Sequence, residues 1–115
     1  DLITAAGANP NTVYFGFDSS EIDAQGQAVL NQQAQFLQAN PSARIAIAGH
    51  TDERGSREYN LALGERRAQA AQAYLATSGV SASRMEAISY GEDQPADPGH
   101  DESAWAKNRR AEISY

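Results

Sequence analysis

The 115-residue sequence contains no cysteine and a single lysine. Without cysteine, the chain can form no disulfide, no thiolate nucleophile and no cysteine-based zinc site. Nine Lys and Arg stand against fifteen Asp and Glu, so the formal net charge is −6. This balance disfavours nucleic acid and anionic membrane surfaces as partners, because both attract clustered basic side chains.

Long apolar runs and an N-terminal leader are also missing. No stretch approaches the roughly 20 apolar residues that cross a bilayer. The chain begins with DLITAAGANPNT and has no initiator Met, as expected for a trimmed or mature fragment whose leader or anchor would lie upstream. Residues 1–11 are small and polar, which predicts a flexible N-terminal tether followed by one domain over residues 12–115.

Catalytic signatures are weak throughout. HTDER lacks the second histidine of H-E-x-x-H, and there is no G-x-S-x-G and no glycine-rich phosphate loop. Asp18 and Asp52 could form a glycosidase carboxylate pair, but Arg54 and Arg67 would keep both ionised and remove the general acid. We therefore predict no enzyme activity, no cofactor and no metal. His50 is expected to be a hydrogen-bonded structural residue.

Hydrophobic patterning predicts six elements in the order β-α-β-α-β-β. Strands are expected at TVYFGF (12–17), RIAIA (44–48), MEAISY (85–90) and RAEISY (110–115). One helix runs to Gln38 from a cap at Asp18, Ser20 or Asp23, and a longer one runs from a cap at Ser56 to about Ser78. AWAKN is expected to form one further helical turn. This order predicts an α/β (α+β) two-layer sandwich with a four-stranded mixed sheet, whose last strand is antiparallel.

Charged and polar residues gather where two predicted strands end. Ligands of α/β folds bind beyond the carboxyl ends of strands, which is where the loop after strand 44–48 lies. Helical spacing adds a stripe from the long helix, and the first strand ends at the same edge if the two strands are parallel. The loop supplies His50, Thr51, Asp52, Glu53 and Arg54, the helix stripe supplies Asn60, Leu63, Arg67 and Ala71, and the first strand supplies Phe17 and Asp18.

An acid and a guanidinium held apart in one cleft suit a zwitterion. Asp52 would bind an ammonium and Arg67 would bind a carboxylate through two hydrogen bonds, while free backbone N–H groups at the start of the helix would add affinity for the anion. Two simpler interpretations stay open. Asp52 could be a turn residue, and Arg67 could lie on a solvated helix face, since at most one of Arg66 and Arg67 can face the cleft.

The segment GHTDERGSREYNLALGERRAQAAQAYL resembles the peptidoglycan-binding core of OmpA-like domains. Members carry T-D-x-x-G, N-x-x-L and R-A, matched here by Thr51-Asp52, Gly55, Asn60, Leu63 and Arg67-Ala68. The resemblance implies the fold predicted above and non-covalent binding of the diaminopimelate residue of the peptidoglycan stem peptide. It assigns Asp52 and Arg67 as the two main ligand residues. The other ligand-binding residues that it implies, at surrounding positions, are Phe17, Asp18, Thr51, Arg54, Asn60 and Leu63.

The ends of the chain resemble the lipoprotein branch of that family. VYFGFDSSEI, GHDE and KNRRA carry this likeness, which covers about residues 12–115. It implies a monomeric domain on the periplasmic face of the Gram-negative outer membrane, an upstream lipidated cysteine, the partner TolB, and a role in envelope integrity and division. The alternatives are the OmpA-like tail of a porin, the OmpA-like domain of a motor stator and, less favoured, a peptidoglycan hydrolase.

Overall fold

The computed structural model describes residues 11–115. The predicted tether lies outside these residues, except for Asn11. Four strands and three α-helices follow one another, with a short 3₁₀ turn at Ala82–Arg84 before the third strand. In chain order they are β1 (Thr12–Tyr14), α1 (Ala24–Ala39), β2 (Ile45–His50), α2 (Arg57–Thr77), β3 (Met85–Gly91), α3 (Glu102–Asn108) and β4 (Arg110–Ser114).

The strands form one mixed sheet in the order β1-β4-β2-β3. β4 is antiparallel to both of its neighbours, and β2 is parallel to β3. β1 and β2 are therefore parallel, and their carboxyl ends lie at the same edge of the sheet. The predicted fold, with its antiparallel last strand, is confirmed.

A single apolar cluster joins the sheet to α1 and α2. The helices contribute Val29, Leu30, Leu37, Ala71 and Leu75, and the sheet contributes Val13, Ile45, Ile47, Ala111 and Ile113, all nearly inaccessible to solvent. Alternation along β2 and a helical period along α1 and α2 place these side chains on the inner faces. No helix of residues 11–115 is long and apolar enough to cross a membrane.

Several element boundaries differ from the sequence prediction. β1 ends at Tyr14 rather than at residue 17. The chain turns at residues 17–18, where Asp18 adopts a positive φ of 53°. α1 begins after Asp23, whose carboxylate accepts a hydrogen bond from Gly26 N, and not after Asp18 or Ser20. β2 continues to His50, since β4 pairs with it that far. Ser56 caps α2 as predicted.

The α3 helix is longer than the predicted single turn. It covers seven residues, and the Asp101 carboxylate accepts a hydrogen bond from Ala104 N at 2.9 Å to cap its N-terminus. At its other end, the buried Asn108 amide bonds the backbone of Ala96 and Asp97. These contacts attach the loop after β3 to α3, beside the edge of the sheet where β2 ends.

Direct contact between two backbones places α2 against β2. A Cβ atom added to Gly49 would lie 1.7 Å from the carbonyl oxygen of Gly64, and one added to Gly64 would lie 2.4 Å from Ser89 Oγ. Only glycine permits so close an approach. The helix that carries Asn60, Leu63 and Arg67 is thereby held tightly against the strand that leads to Asp52.

Candidate functional site

A pocket of about 180 Å³ opens where β1 and β2 end, beside the first half of α2. That volume equals several water molecules, at about 30 Å³ each, and suits a small head group. The pocket is lined by Phe17, Asp18, Thr51, Asp52, Arg54, Gly55, Tyr59, Asn60, Leu63 and Arg67. All eight residues proposed from the sequence thus meet in one place, as the parallel arrangement of β1 and β2 requires.

Arg67 forms the floor of the pocket and is 1 % exposed. Its guanidinium donates hydrogen bonds to three backbone carbonyls: Ser19 O at 2.8 Å, His50 O at 2.8 Å and Gly16 O at 3.1 Å. A guanidinium has five N–H donors, so two remain. Among residues 11–115, no carboxylate oxygen lies within 4.0 Å of its nitrogens.

The charge of Arg67 is therefore buried against neutral partners. Burial lowers the pKa of Arg67 to about 10, although the more distant charges of Asp52 and Asp18 raise it. The side chain remains protonated at neutral pH. A buried cation that lacks a close counter-ion favours an anionic ligand, because a carboxylate would supply the missing charge.

Asp52 is the acidic counterpart and is 4 % exposed. Its carboxylate accepts hydrogen bonds from Arg54 Nε at 3.2 Å, Arg54 Nη2 at 2.8 Å and the Arg54 backbone N at 3.0 Å. Arg109 Nη1 lies 3.7 Å from its second oxygen. Burial raises the pKa of Asp52, but these contacts to Arg54 and Arg109 outweigh burial, and the pKa lies below its usual value. The group is ionised at neutral pH.

Arg54 is held between two aromatic rings. Its guanidinium carbon lies 4.2 Å from the centroid of Phe17 and 4.2 Å from that of Trp105. The Arg54 side chain is therefore stacked on two rings and paired with Asp52 at once. Phe17 is 63 % exposed and forms the outer wall, whereas Leu63 is buried at the inner wall.

The polar candidates Asn60 and Thr51 bond the loop between β2 and α2. Asn60 Nδ2 donates to Asp52 O, Arg54 O and Glu92 Oε1 at 3.0–3.3 Å. Thr51 Oγ1 donates to Asp52 O at 3.0 Å. These donors shape the loop that presents Asp52, so both residues support the site in addition to lining it.

Sequence reasoning missed Tyr59 in the pocket wall, named Gly55 only as a motif position, and missed Arg109 and the residues of α3 behind the pocket. The Tyr59 hydroxyl donates to the Asp18 carboxylate at the rim. Gly55 has a φ of +98°, a conformation that glycine adopts without strain. Arg109, Trp105 and Glu102 meet Asp52 and Arg54 from the C-terminal part of the chain. The KNRR motif was the available signal for Arg109, but nothing local pointed it towards Asp52.

Comparison with known proteins places these features in a wider group. The OmpA family matches residues 14–109 of the chain. The peptidoglycan-associated lipoprotein of Haemophilus influenzae is 51% identical over 105 residues, which cover 91% of this chain and 69% of that protein. The expected likeness to the lipoprotein branch is confirmed.

Solved structures agree with the sequence comparison. The crystal structure of the peptidoglycan-associated lipoprotein from Burkholderia pseudomallei superposes with a TM-score of 0.90 at 47% identity, covering 100% of this chain and 99% of that one. The C-terminal domain of Helicobacter pylori MotB superposes with a TM-score of 0.82 at 24% identity, covering 90% and 82% of the two chains. At that identity, the second comparison shows a shared fold alone.

Proposed function

The chain belongs to the OmpA family, and from this premise we propose that it binds peptidoglycan without cleaving it. The ligand is the diaminopimelate residue of the stem peptide, whose free end carries an ammonium and a carboxylate on one carbon. The observation that carries this proposal is the pocket that joins the buried, ionised Asp52 to the buried Arg67.

Arg67 binds the carboxylate of the ligand in this proposal. Its two remaining N–H donors and its lack of a close counter-ion among residues 11–115 make an entering carboxylate the partner that best offsets its burial. Charge-assisted hydrogen bonds to an arginine are also among the stronger ones in proteins. The three backbone carbonyls hold the guanidinium in place beforehand, so little side-chain freedom is lost on binding.

Asp52 binds the ammonium. Its carboxylate is already paired with Arg54. The binding free energy is therefore the gain from the new contact with the ammonium, less any weakening of the Arg54–Asp52 pair. Phe17 and Leu63 enclose the aliphatic part of the ligand, and Asp18 lies at the rim beside Tyr59. Selectivity for diaminopimelate over lysine follows, because a lysine side chain has the ammonium without the carboxylate that Arg67 requires.

The proposed action is anchoring rather than catalysis. Arg54 holds Asp52 ionised, so Asp52 is a poor general acid, and the relatives are named for association with peptidoglycan. By family resemblance we further propose a monomeric domain at the periplasmic face of the outer membrane, attached through an upstream lipidated cysteine. TolB is the proposed partner within the Tol-Pal system, which serves envelope integrity and cell division.

Calorimetric titration with a muropeptide ending in diaminopimelate, beside its lysine analogue, tests the ligand assignment. We expect the wild type to bind only the diaminopimelate form. Asp52→Asn should lose at least about tenfold in affinity, since a charged hydrogen bond is worth roughly 1.5–3 kcal/mol. Asp93→Asn is the matched control, because Arg57 binds Asp93 through Nε and Nη2 at 3.1 and 2.7 Å, much as Arg54 binds Asp52.

Equal binding of both peptides, or equal losses in the two variants, would contradict the proposal. Incubation of the protein with purified sacculi addresses the hydrolase alternative. We expect no soluble muropeptides to be released, and steady release by the wild type would favour an enzyme instead.

A further inference from the structure

Arg109 lies behind the pocket and touches three of the segments that build it. This side chain is only 10 % exposed. Its Nε donates to Phe15 O at 3.0 Å, its Nη2 donates to Glu102 Oε1 at 2.9 Å, and its Nη1 lies 3.7 Å from Asp52 Oδ2. The Arg109 backbone carbonyl also accepts a hydrogen bond from Phe15 N at 2.9 Å. One residue therefore connects the end of β1, α3 and the loop after β2.

We propose that Arg109 is a positioning residue for ligand binding, which holds the Asp52 carboxylate and the segment 15–19 in one fixed geometry. This inference rests on the proposed function of the pocket. Arg109 does not line the pocket, so it acts through the groups that it holds.

Two arginines hold the segment 15–19 by hydrogen bonds to its backbone carbonyls. Arg109 binds the carbonyl of Phe15, while Arg67 binds the carbonyls of Gly16 and Ser19. Phe17 and Asp18 lie between these attachment points, and Asp18 has the unusual φ of 53°. Such a conformation persists only where neighbouring contacts over-determine it. Loss of the Arg109 contact would therefore loosen both the pocket wall at Phe17 and the backbone carbonyls that bind Arg67.

Arg109 also acts on Asp52 by charge. Its guanidinium and that of Arg54 both lower the pKa of Asp52. Glu102 partly offsets this effect, because its carboxylate lies 2.9 Å from Arg109 and 3.9 Å from Arg54. The charged groups that face Asp52 from the surrounding elements are thus Glu53, Arg54, Arg67, Glu102 and Arg109.

Arg110 provides a matched control in the adjacent position. It is buried like Arg109, with 4 % of the whole residue exposed against 8 % for Arg109, and it bonds Glu112, Asn108 O and Gln94 O. None of these partners lines the pocket. Arg110→Gln should therefore reproduce the general cost of removing a buried guanidinium without disturbing Asp52.

The experiment compares wild type, Arg109→Gln, Arg109→Lys and Arg110→Gln by two measurements. Carbon-13 NMR gives the pKa of the Asp52 carboxyl, and calorimetry from neutral pH down to below the ordinary carboxyl pKa gives the affinity for the diaminopimelate muropeptide. Arg109→Gln should raise the pKa of Asp52, weaken binding about tenfold and move the acid limit of binding to higher pH. Arg110→Gln should leave both quantities unchanged, whatever its effect on stability.

Arg109→Lys separates charge from geometry and replaces the Gln variant if that one does not fold. A lysine keeps the charge but cannot reach Phe15 O, Glu102 and Asp52 together. We expect a pKa of Asp52 near the wild-type value together with a several-fold loss of affinity. Wild-type affinity in Arg109→Lys, or equal losses in Arg109→Gln and Arg110→Gln, would overturn the proposal. If the wild type does not bind the muropeptide, the proposed function fails, while the NMR titration still decides whether Arg109 controls Asp52.

Discussion

At the scale of single residues, two buried arginines play different parts because their partners differ. Arg67 is surrounded by backbone carbonyls and keeps N–H donors for a ligand, whereas Arg109 is paired with Glu102 and lies near Asp52. A buried guanidinium that is hydrogen-bonded only to neutral groups still favours an anionic ligand. A guanidinium that is already paired with carboxylates does not. The surroundings, and not the residue type, therefore separate a binding residue from a positioning residue.

His50 has an environment unlike that of the other histidine. It is 3 % exposed, its ring stacks on Tyr90 with centroids 5.5 Å apart, and its Nδ1 has no hydrogen-bond partner among residues 11–115. The expectation of a hydrogen-bonded histidine thus fails for this nitrogen. Burial, helped by the charge of Arg110 and opposed by that of Glu112, lowers the pKa of His50 to about 4. His100 is exposed, and its hydrogen bond to Glu53 raises its pKa.

We expect an NMR titration to find the two histidines on opposite sides of the ordinary value of about 6.5. The unfolded chain binds a proton at His50 near pH 6.5, whereas the folded chain does so near pH 4. The stability contributed by neutral His50 is therefore complete above about pH 6.5 and is lost as the pH falls towards 4, by up to about 3 kcal/mol. Urea unfolding at several pH values measures it.

His50→Gln serves as the control for this effect. A glutamine does not titrate, so the variant should lose most of the change in unfolding free energy between pH 6.5 and 4. A His50 midpoint near 6.5, or the same acid sensitivity in the variant, would contradict the prediction.

At the scale of elements, the contact between β2 and α2 determines where the site lies. Gly64 is in the middle of a helix, where glycine costs about 1 kcal/mol relative to alanine. The close approach to Gly49 gives the reason for it, since neither position has room for a Cβ atom. The helix face that bears Asn60, Leu63 and Arg67 depends on this approach for its distance from Asp52.

Gly49→Ala is expected to push α2 away from β2. The added methyl group would overlap the Gly64 carbonyl, so the free energy of unfolding should fall by about 2–3 kcal/mol, and the muropeptide should bind more weakly. Chemical denaturation and calorimetry measure the two effects. Gly16→Ala is the control, because the nearest atom to its new Cβ would be 3.9 Å away. Similar stability of the two variants would show that the contact is not tight.

At the scale of the whole molecule, the chain has a negative net charge although three of its arginines are buried. The net charge is −6, yet Arg67, Arg109 and Arg110 are buried. An acidic surface disfavours non-specific adhesion to other anionic surfaces. The anion-binding role that we propose for Arg67 is one that the net charge of the chain does not indicate.

The N-terminal limit of the domain is open to a truncation test. Asn11 was assigned to the predicted tether, but its carbonyl accepts a hydrogen bond from Ile113 N at 2.8 Å, and its side chain accepts one from Gln33 at 2.6 Å. We expect a chain of residues 11–115 to keep the full affinity for muropeptide. A chain of residues 12–115 should unfold about 1 kcal/mol more easily, as thermal denaturation would measure. Equal stability of the two chains would place the boundary at residue 12, the position that the sequence predicts.

Much of the fold and of the candidate site could be predicted from the sequence, because the signals that specify these features are local. Helical period alone aligned Asn60, Leu63 and Arg67 on one face, and the alternation of RAEISY identified β4. The position of Asp52, just after a buried strand, indicated a loop at the edge of the sheet. These features depend on neighbouring residues, whose geometry the backbone repeats dictate.

The tertiary structure alone decided which distant groups meet. The order β1-β4-β2-β3 inserts the last strand between the first two, and this brings Arg109 beside both Phe15 and Asp52. Only the tertiary packing shows that backbone carbonyls accept hydrogen bonds from Arg67, and that Arg54 is already paired with the Asp52 carboxylate. Local periodicity sets the face on which a side chain lies, but the partner on that face depends on long-range strand pairing, which no local pattern encodes.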